Sequence, residues 1–286
     1  MSDIVLPGPF HSLQWMGSTD TLEDSDIVIV GLPYDGTCSY RPGSRFAPQA
    51  IREASYGLET YSPISKKDLE NIRFYDGGDL SFPFGNRDET LAIIRKNAQA
   101  VVTAGKKWVG IGGEHLVTLP AVEAYLDKYP DLAILHFDAH GDLRDDYMGE
   151  KLSHATVIRR VADRVGPERL VQIGIRSGPQ EEFDWMHQHR TLLEQIEQVP
   201  IGREKLKHHP VFLTIDLDVL DPSVLPGTGT PEPGGMQFTE LMSWLMAFKG
   251  LNFVGADVIE LAPDYDASGV STAVATKVLR EVLLLL

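Results

Sequence analysis

One cysteine, Cys38, occurs in 286 residues. A disulfide within the chain is therefore excluded, and so is a thiolate metal cluster. Cys38 reads as a small, half-buried loop residue, and a reducing, cytoplasmic setting is expected. Basic charge is scarce as well. The chain carries 26 Lys and Arg against 41 Asp and Glu, a formal net charge of −15. Nucleic acid and anionic membrane both need a basic surface and are set aside as partners. A small cationic ligand is mildly favoured by long-range steering. No apolar run is long enough to span a bilayer, the closing "VLREVLLLL" included. The opening "MSDIVLPGPFHSLQWMG" lacks a basic region followed by an apolar one, so no signal peptide is expected. Also missing are G-x-S-x-G, H-E-x-x-H, G-x-x-x-x-G-K-[ST] and G-x-G-x-x-G.

What remains is a globular composition, 43% hydrophobic and 23% charged. Short β-branched, apolar runs occupy 26–33, 108–113, 132–140, 170–176, 211–220 and 253–261, with a further strand expected over 72–80. Helical patterns fill 45–57, 88–104, 116–128, 153–165, 179–190, 238–249 and 270–285. Alternation of this kind, with near-continuous apolar strands, predicts a parallel sheet covered on both faces. No repeat or low-complexity linker divides the chain. The expectation is one α/β domain over 1–286, a three-layer α/β/α sandwich with a central parallel sheet.

Ligands of such folds gather at the carboxyl ends of the strands. Here four apolar runs end in imidazoles or carboxylates: Glu114 and His115, then Asp138, His140 and Asp142, then Asp216 and Asp218, then Glu260. In a strand, residues i and i+2 share a side. Asp138 then points with His140, Asp216 with Asp218, and Asp142 joins them if the alternation continues. Four carboxylates and two imidazoles near a core are prohibitively unstable without compensating charge. Two divalent cations would balance them. Oxygen-rich ligation with a few imidazoles suits Mn²⁺ better than Zn²⁺ or Mg²⁺. A two-metal site lowers the pKa of a shared water, and the expected reaction is a hydrolysis. Each piece alone has a plainer reading, since an isolated D-x-D or D-x-H is more often a loop or capping device. Their joint appearance after separate strands favours the metal. Asp145 and Asp146 lie beyond the strand and read as solvated.

A rival pattern is that of dinuclear metallophosphoesterases, D-x-H, G-D-x-x-D and G-N-H. Asp138-Ala-His140 and Gly141-Asp142-Leu-Arg-Asp145 fit its first two parts, but they overlap within one strand end and no Asn-His pair exists. The chain instead resembles the ureohydrolase (arginase–agmatinase) family. The matching pieces are "GGEH" (112–115), "DAHGD" (138–142), "SHATVIRR" (153–160), "IDLDVLDPSVLPGTGTPEPGG" (215–235) and "DVIELAP" (257–263), with "GTCSYRPGSRFAPQAIRE" (36–53) and "DGGDLSFPFGN" (76–86) nearer to agmatinases.

The resemblance implies a dinuclear Mn²⁺ centre. His115 and Asp142 would bind one ion, His140 and Asp218 the other, and Asp138 and Asp216 would bridge. It implies a proton-shuttling role for His154, guanidinium pairing for Glu260 and a homo-oligomer, trimer or hexamer. Two positions depart from it, Gly141 where Thr is frequent and Ala155 where Gly is. Arginase-like members hold an α-carboxylate with Asn and Ser in the loop after the Asp-rich strand. Here that loop, 143–154, has no Asn and carries acids at 145, 146 and 150. Agmatine is therefore the expected substrate, yielding urea and putrescine. Arg144 keeps 4-guanidinobutyrate as the alternative, and a catalytically silent metal-binding protein is the reading from another class. The remaining residues have structural readings. His11, His187, His189, His208 and His209 are expected at the surface, and His136 as a satisfied strand histidine. Glu114 is expected to support the His115 loop, Arg41, Arg45 and Arg52 to form loop and helix-surface ion pairs, with a subunit contact as the alternative, and the acids of 177–183 to favour a helix start, with substrate contacts as the alternative.

Overall fold

Eight parallel strands make the frame that positions the polar residues. In a computed structural model describing residues 13–286, these strands are β1 (Ile27–Gly31), β4 (Phe74–Asp79), β5 (Lys107–Ile111), β6 (Ala133–Phe137), β7 (Leu170–Ile173), β8 (Leu192–Leu193), β9 (Pro210–Asp216) and β10 (Asn252–Ile259). Their order across the sheet is β4-β1-β5-β10-β9-β6-β7-β8. A short antiparallel hairpin, β2 (Tyr61–Ser62) with β3 (Lys67–Asp68), stands apart. His11 lies outside the described residues.

Alternation along the strands explains the layers. Ile27 and Ile29 of β1 pack into one apolar cluster, Val28 and Val30 into the other. The first cluster takes α1 (Ala47–Ser55), α6 (Val199–Leu206), α7 (Phe238–Ala247) and α8 (Val270–Leu285). The second takes α2 (Arg87–Thr103), α3 (Thr118–Leu126), α4 (Val157–Val165) and Met186 of α5 (Gln180–His189). A strand apolar on both faces must be covered on both faces, and the helices do so. This is the α/β/α architecture with a parallel sheet.

Four of these elements were not foreseen, the hairpin strands β2 and β3, then β8 and α6. Pro200 and Gly202 make the α6 segment read as a loop. Pro200 falls in the first turn, where its missing N–H costs nothing. Gly202 lets the helix press onto the sheet, since a Cβ there would stand 2.7 Å from Leu193. Arg52 is a correction. It is not on a helix surface but 2% exposed, clamped by Asp76 at 2.7 and 2.9 Å and by Asp79.

The strands also end sooner than expected. β6 stops at Phe137, and the Asp138 carboxylate accepts the His140 backbone N–H at 2.6 Å. β9 stops at Asp216, whose carboxylate accepts the Asp218 N–H at 2.9 Å. Side-chain acceptance of the i+2 amide competes with the ladder and turns the chain. Strand alternation is therefore not what gathers Asp138 with His140 or Asp216 with Asp218; the same aspartate turn does it twice. Asp142 does not continue an alternation either. It sits in the left-handed region at φ 51°.

Candidate active site

β5 leads into Gly112 and Gly113, both at positive φ. A Cβ on Gly113 would stand 2.4 Å from the Leu32 carbonyl, so only glycine lets the chain pass under β1. This turn delivers His115 to the core side of the sheet edge, 1% exposed. Its Nδ1 faces carboxylate oxygens of Asp138 and Asp142 at 3.0 Å each and of Asp216 at 3.5 Å. Its Nε2 lies 3.2 Å from the Thr214 hydroxyl. His140 Nδ1 lies 3.0 Å from Asp218 and 3.6 Å from Asp138. The six residues singled out from the sequence thus converge. Ligand-type atoms of Asp138, His140 and Asp218 lie within 4.8 Å of one another, as do those of His115, His136 and Asp138.

His136 enters this group, but both its nitrogens are engaged. Nε2 donates to Asp138 at 2.9 Å and Nδ1 faces the Gln172 amide at 3.3 Å. It is a satisfied histidine that orients Asp138. Asp145 and Asp146 are exposed, as expected, and so are His187 and His208; His189 and His209 are partly covered. Glu114 is fully buried, and its carboxylate bonds Thr37 rather than the His115 turn. The support for that turn comes from Glu260, which accepts the His115 N–H at 2.8 Å. Glu260 is itself left-handed, φ 65°, held by the Gly113 carbonyl at 2.9 Å and by Thr228 on its own carbonyl at 2.9 Å. Asp142 and Glu260 are non-glycine residues at positive φ, a strain that surrounding structure must hold in place.

The electrostatics are unbalanced. Burial pushes Asp216 well above the ordinary carboxylate range, reinforced by Asp218 and Asp138. Burial does the same to Glu260, with Glu114 adding to it. Burial opposes charge on the imidazoles too, yet carboxylate contacts win. His115 is held well above the usual histidine value and His140 is pushed up to about 12. Asp138 is held well below its usual value, because the three histidines that face it, His115, His136 and His140, outweigh burial. No lysine or arginine pairs with these five acids among the described residues. The His115 Nδ1, though ringed by oxygens, makes no well-formed hydrogen bond. A buried nitrogen and several carboxylates aimed at one small volume, with no lysine or arginine among them, fit a metal ion. The residues present could hold one.

Over this cluster opens a cavity of about 220 Å³, lined by Asp142, Arg144, His154, Glu182, Asp216 and Glu260 among others. His154 opens a helical turn capped reciprocally by Ser153 and Thr156. Burial keeps its pKa below that of a free histidine. Glu182 was missed. Among the acids of 177–183 it alone is buried and reaches the cavity. Only the α5 period, which places Glu182 and Met186 on one face, could have singled it out. Gly141 now has a reason, because a Cβ there would stand 2.8 Å from Glu182 Oε2.

Comparison with known proteins identifies the family. The Arginase family pattern matches residues 25–285. An agmatinase of Bacillus anthracis is 48% identical over 93% of this chain and 94% of its own. A solved structure described as a putative agmatinase from Clostridium difficile superposes with a TM-score of 0.87 at 45% identity, covering 93% of this chain and 98% of that one. Proclavaminate amidinohydrolase of Streptomyces clavuligerus gives a TM-score of 0.84 at 32% identity over 91% of both chains. No helix of the described residues is long and apolar enough to cross a membrane. With a matching pattern along most of its length, the chain belongs to the arginase family.

Proposed function

We propose that this chain is a hydrolase of guanidino compounds that converts agmatine to putrescine and urea, a step of polyamine biosynthesis. The observation that carries the reading is the acid-lined cavity over a buried Asp–His cluster that no lysine or arginine pairs among the described residues. The near-half identity to agmatinases supports it. His115, Asp138, His140, Asp142, Asp216 and Asp218 would hold two ions, and their oxygen-rich set with two imidazoles suits Mn²⁺. When bound, two such ions supply hydroxide near neutral pH by lowering the pKa of a shared water.

The chain's own residues do the rest. Glu260 is costly to ionise while unpaired, and a guanidinium beside it restores the charge. That pairing binds the substrate and orients its carbon over the cluster. Asp142 takes a proton at its carboxylate and returns it to the departing amine. His154, at the cavity wall, exchanges protons between Asp142 and solvent. Glu182 and Asp142 favour a cationic tail. Arg144, also in the wall and 5.0 Å over the Tyr147 ring, favours a carboxylate tail, as in 4-guanidinobutyrate. We extend the reading to a cytoplasmic homo-oligomer, trimer or hexamer, as the family resemblance implies; sedimentation of the purified protein tests it.

The experiment is urea release with Mn²⁺ present, with agmatine, 4-guanidinobutyrate and arginine run side by side. Agmatine is expected to give the highest kcat/KM. Urea from none of the three, by protein holding its metal, would sink the reading.

A further inference from the structure

We infer that Thr37, backed by Glu114, is a positioning residue for the proton-exchanging His154. The inference rests on the function proposed above. Glu114 accepts from Thr37 with both oxygens, the backbone N–H at 2.7 Å and the hydroxyl at 2.5 Å. A hydroxyl has one proton. With that proton committed to Glu114, the Thr37 oxygen can only accept from its other neighbours. Those neighbours both belong to His154: the backbone N–H at 3.0 Å and ring Nδ1 at 3.4 Å.

Tautomer follows from geometry. Nδ1 must carry the hydrogen that faces Thr37, which leaves Nε2 with its lone pair. Nε2 lies 3.2 Å from the Ser39 hydroxyl, an exposed residue of the cavity wall. The Tyr147 ring stands edge-on to the imidazole at 5.7 Å. The bare nitrogen is thus aimed at the solvent side of the cavity, where protons must enter and leave. Without the Thr37 oxygen, Nδ1 loses its partner and the ring can flip or change tautomer, which misdirects the proton path.

Thr37→Val in the Mn²⁺-loaded enzyme is expected to lower kcat for urea release about tenfold. KM and bound metal should stay unchanged, and added imidazole buffer should restore turnover. Thr37→Ser should behave as the wild type. An activity-free readout accompanies this: carbethoxylation of His154 in resting enzyme, followed by peptide mass spectrometry. Freed from Thr37, the ring should react at least about threefold faster in Thr37→Val, and not in Thr37→Ser. Thr37→Ala serves should the valine variant not fold. Wild-type kcat with an unchanged labelling rate overturns the inference, as does metal loss in step with lost activity. Should the wild type release no urea, the proposed function falls, while the labelling comparison still decides the role of Thr37.

Discussion

Two buried groups of charge in this molecule are built on opposite plans. At the sheet margin, Arg52 of α1 is 2% exposed and bonds Asp76 with two nitrogens and Asp79 with a third. Asp76 also accepts the Trp15 and Gly78 N–H groups at 2.7 and 3.0 Å. That group contains its own cation, and its acceptors are filled. At the carboxyl ends of β5, β6, β9 and β10, five acids meet with imidazoles and no guanidinium or ammonium. Asp216 and Glu260 are pushed upward as a result. A closed cluster ties elements together. An open one leaves a charge that something exchangeable must supply, which is what a metal and a cationic substrate are.

Breaking one member of each group should separate these plans. The largest effect is expected for Asp138→Asn. Loss of the candidate bridging carboxylate should remove bound metal and reduce urea release by roughly 10³-fold or more, while the metal-free fold persists. Metal analysis beside the urea assay decides it, and a metal-replete, active variant would overturn the assignment. Arg52→Met should do the reverse. Leaving Asp76 buried without its cation costs about 3–5 kcal/mol of stability, read by urea denaturation at fixed Mn²⁺. The surviving folded enzyme should keep its metal and its kcat. Metal lost without loss of stability would show that the two clusters are one system.

A pH titration sharpens the contrast. His115 and His140 are both raised, so in the metal-free fold they hold protons at neutral pH. Protons held below a raised pKa compete with a cation, and affinity therefore falls as pH falls. The expected slope from pH 6 to 8 is about tenfold per unit for each proton displaced. Equilibrium dialysis of Mn²⁺ measures it, and a flat profile would mean that the imidazoles are not displaced ligands.

Much of the open cluster was legible because each member follows an apolar run that could only be a covered strand. The local device was not. Strand alternation pointed at the right pairs, yet the structure joins them through aspartate turns, and Asp142 arrives by a left-handed residue. Arg52 and Glu182 read as surface charges because a short sequence window does not show which helix face meets the sheet. Their partners, Asp76 and Leu143, lie 24 and 39 residues away. Beyond its place in the 36–53 piece Thr37 carries no signal of its own, since the role inferred for it depends on Glu114 and His154, 77 and 117 positions distant. The α6 helix was hidden by the two residues that let it pack.

Glu182 stands between the two plans, and the smallest expected effect belongs to it. One oxygen accepts the Leu143 N–H at 3.1 Å. The other occupies space left by Gly141 and Gly178, where a Cβ would stand 2.8 and 2.6 Å away. Burial raises its pKa to about 7, with Asp142 adding to the shift and Arg144 opposing it. A carboxylate raised in this way is neutral below that value and charged above it. An ammonium tail should then bind better as pH rises through about 7, and KM for agmatine should fall over that window. Glu182→Gln removes the step and should raise KM about fivefold above pH 7, near 1 kcal/mol, with kcat little changed. KM for 4-guanidinobutyrate should not rise with it. If both substrates lose equally, Glu182 shapes the cavity instead of reading the tail, and the open cluster alone would account for the preference for cations.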